Sequence, residues 1–422
     1  VVVRKLSEEL DMRGLVHQVT DPGLMARLDN ERLTAYIGFD PTADSLHVGH
    51  LVQVLMLRRL KDAGHRAIAL AGGATGLVGD PSGRRNERPL LSKEELEANL
   101  GAIRKQLETL LGDVLVVDNA EWLGSLGLLD FLRDVGKHFG VGEMIAKESV
   151  RSRLGKDGQG VSFTELSYML LQAYDFLHLY DAYGCRLQLG ASDQWGNITM
   201  GIELVKKLRG AKVFGLTTPL MVKPDGEKFG KSADGTVWLD SAKTSPYQLY
   251  QFLFRSEDAV VGSYLRRLTL IDLEEIEELD SATSSSPMRR EAQRALARHV
   301  CRLVHGEAET RRAERAAGAL YGESIVELDE TTLLEVCSEA PTSVLPASLL
   351  DPPGLEVVEL FARTGLVGSK ARARTLVSQG GAYLNNSRVA DPGAKVSRAD
   401  LLVGRYLVLR RGSRDFHLIR FE

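Results

Sequence analysis

Two short segments carry the residue types of phosphate chemistry. Residues 46–50 read LHVGH, with His47 and His50 three residues apart around Gly49. At the mouth of a helix, two imidazoles and unpaired backbone N–H groups would face an anion with a favourable dipole behind them. Gly49 would let a ligand approach the backbone closely. Asp40 and Thr42 stand in the loop just before. A pair of capping or surface histidines explains the bare spacing equally well. Residues 226–232 read GEKFGKS, where Lys228 and Lys231 bracket Phe229 and Gly230. The preceding PDG is a turn signal, so both lysines ride a loop. Two ammonium groups on a loop suit charge that develops only in a transition state. The plain alternative is a solvated basic loop.

A third segment, SFTELSYMLLQAYDFLHLY, opens with a capping box of Ser162 and Glu165. Leu166, Met169, Leu170, Ala173 and Leu177 make an apolar face on the helix that follows. Tyr168, Gln172 and Asp175 fall at i, i+4 and i+7 and form one polar stripe. A buried Asp and Gln need partners, which are either other protein groups or a small polar ligand in a cavity. In GASDQWGN, Asp193 and Gln194 stand at an expected helix start, where a carboxylate could accept ribose hydroxyls. Capping by Ser192, Asp193 and Asn197 is the alternative. GGATGLVGDPSG places Asp80 in a further glycine-rich loop, which could equally be a simple tight turn.

The elements that must position these residues alternate. LTAYIGF, RAIALA, VLVV (114–117) and CRLQLG read as strands, and a helix is expected from about His47 to Ala63. Its stripe is Val48, Leu51, Val52 and Leu55, and Gly64 is its stop. Strands separated by helices of this length predict an α/β, doubly wound parallel sheet. Such sheets bind ligands beyond the carboxyl ends of their strands. From about 245 to 322 the pattern becomes helical throughout. Four of the thirteen prolines fall at 341, 346, 352 and 353 and mark a linker. The expected division is 1–245 (catalytic, with a helical insertion), 246–338 (helical), 339–354 (Pro-rich linker) and 355–422 (small basic α+β module).

The 422 residues are 44% hydrophobic and 26% charged, which excludes a disordered or fibrous chain. No apolar run approaches the ~18 residues of a membrane span. VVVRKLSEEL lacks the apolar core of a signal peptide, so the cytoplasm is the expected location. Cys185, Cys301 and Cys337 are too far apart for a zinc or redox pair and read as inert core thiols. Net charge is -4, unevenly spread. Residues 355–422 hold twelve Lys/Arg against six Asp/Glu, so this module is +6 and the remainder -10. A basic module on an acidic body suggests a polyanionic partner.

LHVGH and KFGKS in this order resemble the HIGH and KMSKS signatures of class I aminoacyl-tRNA synthetases. With YIGFDPTADSLHVGH, GGATGLVGDPSG, SYMLLQAYDF and SDQWGN, the chain resembles the bacterial tyrosyl-tRNA synthetases from about Leu33 through Ser232. The resemblance implies a Rossmann-like fold and a two-step reaction. Tyrosine and ATP give tyrosyl-adenylate and pyrophosphate, and the tyrosyl group then passes to the terminal adenosine of tRNA. It implies that Asp175 and Tyr36 hold the tyrosine hydroxyl and that Tyr168, Gln172 and Asp80 hold its ammonium group. Phenylalanine would leave those polar groups unpaired, and this enzyme family is itself the standard illustration of that rule. His47 and His50 would meet the ATP phosphates, Asp40 the α-phosphate through its backbone, Asp193 the ribose, and Gln194 the region of the reacting carbonyl. Lys228 and Lys231, helped by Arg84 and Arg88, would stabilise the departing pyrophosphate. Gly38, Thr42, Gly49, Gly190 and Ser232 complete the ATP-contacting set. Mg²⁺ is expected to travel with ATP rather than in a protein cage.

Two positions depart from the family pattern. Ile37 stands where a cysteine often contacts the ribose, a missing neutral contact worth about 0.5–1.5 kcal/mol. Arg84 stands where lysine is common. GLVGSKARARTLVSQGGAYLNN resembles a small RNA-binding fold, in which Lys370, Arg372 and Arg374, capped by Ser369, would grip tRNA phosphates. The family also implies a homodimer through the insertion around FLRDVGKHFGVGEMIAKESV. The competing readings are another HxGH nucleotidyltransferase, a tryptophanyl relative, and a catalytically inactive synthetase-fold RNA-binding protein.

Overall fold

The computed structural model describes residues 4–82, 91–154, 160–223, 226, 229–232, 235–319, 323–338, 340–412 and 415–422. The chain forms two compact units, Val1–Thr244 with Arg255–Val300, and Ser245–Phe254 with Cys301–Glu422.

In the first unit, six strands form one sheet: β1 (Gln18–Val19), β2 (Thr34–Phe39), β3 (Arg66–Ala71), β4 (Leu115–Asp118), β5 (Cys185–Ala191) and β6 (Phe214–Thr218). Their order is β1-β6-β5-β2-β3-β4. All neighbours are parallel except β1, which runs antiparallel to β6. β2, β3 and β4 extend to one side, and the chain then crosses back so that β5 lies against the other edge of β2. The order therefore reverses between β2 and β5, and a crevice opens there at the carboxyl ends of the strands. β1 and β6 are elements the hydrophobic pattern did not signal. β1 has two residues and β6 reads FGLTT, a short run with two threonines.

The helix after β2 begins as a single tight turn at Val48–His50 and continues as Leu51–Asp62. Val48, Leu51, Val52 and Leu55 are all buried, and Gly64 ends the helix at φ 89°. Helix Phe163–Tyr183 starts with the expected reciprocal cap: Glu165 N–H donates to Ser162 Oγ at 3.2 Å and Ser162 N–H to the Glu165 carboxylate at 3.3 Å. Between β4 and this helix lie Leu128–Asp134, Val141–Ala146 and Glu148–Leu154. Phe131, Val135, Phe139, Met144 and Val150 turn inward against Met169, Leu170 and Phe176. Their neighbours Leu128, Leu129, Leu132, Val141 and Ile145 stay exposed.

The second unit differs from the expected boundaries. Residues 339–354 are not a free linker, because Thr342–Leu345 pairs in parallel with Asp415–Phe421 and Leu350 is buried. Two of the helices expected in a separate helical domain, Asp258–Leu268 and Leu273–Ser285, belong to the first unit. The five-stranded sheet runs Ser387–Arg388, Ala382–Leu384, Tyr406–Arg411, Asp415–Phe421, Thr342–Leu345. Val358, Phe361, Ala373, Val377, Leu407, Leu409 and Ile419 fill its core. Proline density marks where helices stop, but strand addition by four residues leaves no local period to read. All three cysteines are free and buried.

Ser162→Ala removes one half of the reciprocal cap on the longest apolar helix. It should lower stability by about 1 kcal/mol, seen as a lower thermal midpoint.

Candidate active site

The loop leaving β2 and the start of the next helix build one wall. The His47 and His50 rings stack with centroids 3.7 Å apart and planes 15° from parallel. Gly49 N–H donates to His47 Nδ1 at 3.1 Å, and His47 N–H donates to His50 Nδ1 at 3.2 Å. Each Nδ1 is thus an acceptor, so in each neutral ring the hydrogen sits on Nε2. The backbone has chosen the tautomer that presents a donor on the far nitrogen. That is the form an anionic oxygen needs.

The polar stripe of helix Phe163–Tyr183 builds the opposite wall. Asp175 is buried, with one carboxylate oxygen accepting Trp122 Nε1–H at 2.8 Å and the other Asn119 Nδ2–H at 3.0 Å. Burial pushes its carboxyl up to about 8, against the two hydrogen bonds and with the help of Asp40 and Asp118. Tyr36 projects from β2 with its ring 5.5 Å from that of Phe176, and its buried hydroxyl has no hydrogen-bond partner among the described residues. Burial, and then the Asp175 carboxyl, raise the Tyr36 phenol well above its ordinary value. An orphaned buried hydroxyl costs about 1–3 kcal/mol unless something enters to satisfy it.

Further up the stripe, Tyr168 Oη donates to Asp40 at 2.7 Å, and Thr75 Oγ1 donates to the other Asp40 oxygen at 2.8 Å. A side chain on Gly72 would overlap that carboxylate, so the glycine makes the room. Asp80 accepts Ser82 N–H at 2.9 Å and Gln194 Nε2–H at 2.7 Å. Gln172 donates to Gln194 Oε1 at 3.3 Å and accepts Asn197 Nδ2–H at 2.9 Å. Asn197 is therefore a buried bridge and not a helix cap; helix Trp195–Arg209 has no side-chain cap at all. Asp40, Asp80 and Asp175 also raise the Tyr168 phenol, after burial. Acidic side chains thus gather at this end of the site, which suits a cationic amine.

Lys228, Arg84 and Arg88 lie outside the described residues, and Lys231 and Ser232 are described by their backbone. Lys231–Ser232 pairs antiparallel with Gly235–Thr236. Gly230, at φ 90°, brings this hairpin's base against the imidazole loop: a Cβ there would sit 3.0 Å from Val48 Cγ1 and 3.5 Å from Gly49 N. The lysine-bearing segment and the imidazole motif are thus in contact.

One cavity of about 860 Å³ joins these walls. Its lining brings together Tyr36, Tyr168, Gln172, Asp175 and Asp80 with Gly38, Asp40, Thr42, His47, Gly49 and His50, and with Gly190, Asp193 and Gln194. Ile37 also lines it and offers no polar atom. Among the described residues, no group of three or more His, Cys, Asp or Glu could hold a metal ion. Sequence reasoning missed Asn119 and Trp122, which hold Asp175 from behind. The signal was the polar DNAEW following β4, at a strand's carboxyl end where functional side chains gather.

The Asp175 carboxyl titrates at about 8 in the fold against an ordinary 3.8. The folded chain then holds a proton that the unfolded chain has released. This stabilising contribution is full below about pH 4 and is lost as pH rises through about 8. Asp175→Asn cannot titrate, so its thermal midpoint should fall less than the wild type's across that window. Parallel profiles would mean that the carboxyl is ionised in the fold.

The chain is similar to known proteins over nearly its whole length. Residues 28–322 match the family of class I tRNA synthetases (W and Y), and residues 339–419 match the tyrosine–tRNA ligase SYY-like C-terminal domain. The chain is 51% identical over 98% of both chains to the tyrosine–tRNA ligase of Roseiflexus castenholzii. It is 48% identical over 99% of both to that of Geobacillus stearothermophilus. A C-terminally truncated mitochondrial tyrosyl-tRNA synthetase of Aspergillus nidulans superposes with a TM-score of 0.68 at 33% identity, covering 75% of this chain and 94% of its own. From its imidazole loop to its C-terminal module, the chain belongs to the tyrosine–tRNA ligase family of class I tRNA synthetases.

Proposed function

We propose that the chain activates L-tyrosine with ATP and transfers it to tRNA(Tyr). The observation that carries this reading is the single cavity, which joins an acidic, hydrogen-bonding pocket to a loop of stacked imidazoles at a helix mouth. The naming of full-length relatives as ligases favours an active enzyme over a catalytically inactive RNA-binding protein.

In this reading the Tyr36 hydroxyl and the Asp175 carboxyl group take the substrate phenol. Asn119 and Trp122 fix Asp175 so that a lone pair of each oxygen remains for it. Asp80, Tyr168 and Gln172 hold the ammonium group, with Gln194 beside the carboxylate. ATP lies across the carboxyl ends of β2 and β5, its ribose by Asp193 and its phosphates by His47 and His50. Gly38, Thr42, Gly49 and Gly190 line its path, and Ser232 follows the second lysine. The tyrosine carboxylate is already ionised at neutral pH, so no protein base or nucleophile is required. One of its oxygens attacks the α-phosphorus, the bond to the bridging α–β oxygen breaks, and pyrophosphate leaves. Catalysis is then positioning and charge stabilisation. His47 and His50 donate from Nε2, while Lys228 and Lys231, with Arg84 and Arg88, meet the charge on the leaving group. A hydroxyl of the terminal tRNA adenosine next attacks the activated carbonyl and AMP departs. MgATP is the substrate form, because magnesium prefers phosphate and water ligands.

Lys370, Arg372 and Arg374 are exposed at the start of helix Lys370–Ser378, where Ser369 Oγ accepts Arg372 N–H at 3.3 Å. Lys370 pairs with Glu359 at 3.1 Å, whereas Arg372 and Arg374 make no ion pair among the described residues. These three side chains are assigned to tRNA phosphates. Arg410 is not available for that role, since it is buried with its guanidinium 3.9 Å over Tyr383. The exposed Leu128, Leu129, Leu132, Val141 and Ile145 are assigned to a homodimer contact, because five large exposed apolar side chains within one insertion call for a cover. No helix among the described residues is long and apolar enough to cross a membrane, and the proposed location is the cytoplasm.

ATP–pyrophosphate exchange should be stimulated by tyrosine alone among the twenty amino acids. Stimulation by tryptophan would remove the assignment. Asp175→Ala should abolish it, and Lys231→Ala should lower kcat by at least about tenfold with little change in KM for tyrosine. Alanine at Lys370, Arg372 and Arg374 together should weaken tRNA charging in a salt-dependent way and leave exchange intact; undiminished charging would demote the module.

A further inference from the structure

The hairpin that carries Lys231 has two residues in each strand and cannot hold its own position. What holds it is the segment that follows. Val237 N–H donates to Gly230 O at 2.9 Å, which closes the base of the hairpin. The chain then runs antiparallel beside the imidazole loop: Val48 N–H donates to Val237 O at 3.0 Å, Leu239 N–H donates to Leu46 O at 2.8 Å, and Trp238 bridges to His47.

At the far end of this pairing sits Ser45, 2% exposed. Its hydroxyl donates to Leu46 O at 2.7 Å and accepts Asp240 N–H and Gln106 Nε2–H, each at 3.1 Å. One donor and two acceptor sites are thereby used, which is the full capacity of a hydroxyl. Gln106 Oε1 in turn accepts Leu46 N–H at 2.7 Å. One carboxamide therefore holds two successive residues on the loop side of the joint, and the Ser45 hydroxyl it orients reaches across to Asp240. It comes from helix Lys93–Leu111, whose Asn99 also donates to Pro41 O at 3.2 Å. Asn99 and Gln106 stand seven residues apart on one helical face, with buried Ile103 between them lining the cavity. That helix braces the nucleotide loop from behind.

We propose that Ser45 and Gln106 are positioning residues for the activation step, fixing the lysine-bearing hairpin relative to His47 and His50. The proposal rests on the tyrosine-activation reading. Neither side chain is assigned a contact with substrate; Ser45 acts through the two backbone segments it joins, and Gln106 through the Ser45 hydroxyl and the Leu46 N–H it holds. Fixed geometry matters here, since small misplacements of a group that serves only the transition state cost large factors in rate.

The test is tyrosine-dependent ATP–pyrophosphate exchange by the full chain, in wild type, Gln106→Leu, Ser45→Ala, Lys231→Ala and the Gln106→Leu/Lys231→Ala double variant. Both joint variants should lose about tenfold or more in kcat, with KM for tyrosine within about twofold of wild type. Lys231→Ala should cost much less in the Gln106→Leu background than in the wild type, because the lysine is already out of place. A purely structural role would instead give multiplicative losses. Multiplicative losses, unchanged kcat in both joint variants, or an equal loss in tyrosine KM would overturn the proposal. Gln106 is half-buried on a helix, so its leucine variant keeps the test open should Ser45→Ala fail to fold. A wild-type chain without tyrosine-dependent exchange would sink the functional reading instead, a result distinct from any of these.

Discussion

A carboxyl group in the middle of an apolar helix is the constraint from which the rest of the site follows. Asp175 lies between Tyr174 and Phe176 on a helix whose other buried residues include Met169, Leu170, Ala173, Leu177 and Leu179. Isolated in such surroundings a carboxylate would be costly. The fold answers with an indole N–H from Trp122 and an amide N–H from Asn119, both from the turn after β4. Asn119 also donates to Thr75, and Thr75 donates to Asp40. One buried carboxyl group has thus drawn the ends of β2, β3 and β4 into a single hydrogen-bonded chain, leaving the Tyr36 hydroxyl as the unfilled place in it.

The cavity is divided by residue type. Acidic side chains gather at the stripe, while imidazoles, a helix mouth and the lysine-bearing segment lie on the other side. This division matches an amino acid presented by its cationic end and a nucleotide presented by its anionic one.

Much of this was legible in the sequence, for identifiable reasons. The helix Phe163–Tyr183 announced its start through Ser162 and Glu165 and its polar stripe through spacing alone, because both are local properties of a helix. β2, β3, β4 and β5 were visible as short apolar runs. What local pattern does not encode is the tertiary partner. Nothing in DNAEW says that Asn119 and Trp122 meet Asp175, fifty-odd residues away, and Asn197 read as a cap because its neighbours Ser192 and Asp193 are cap-forming types. The domain limits failed in the same way. Residues 339–354 look like a linker by composition, and only pairing with a strand more than seventy residues later makes Thr342–Leu345 part of a sheet.

That late-paired strand dictates how the basic module can be handled in isolation. A fragment cut at the end of the proline cluster would begin at Leu355, stripping the outer edge from Asp415–Phe421 and uncovering the pocket filled by Leu350. The bared edge would offer a row of unsatisfied peptide groups to any passing chain, an invitation to self-association. A soluble excised version has to begin upstream of Thr342.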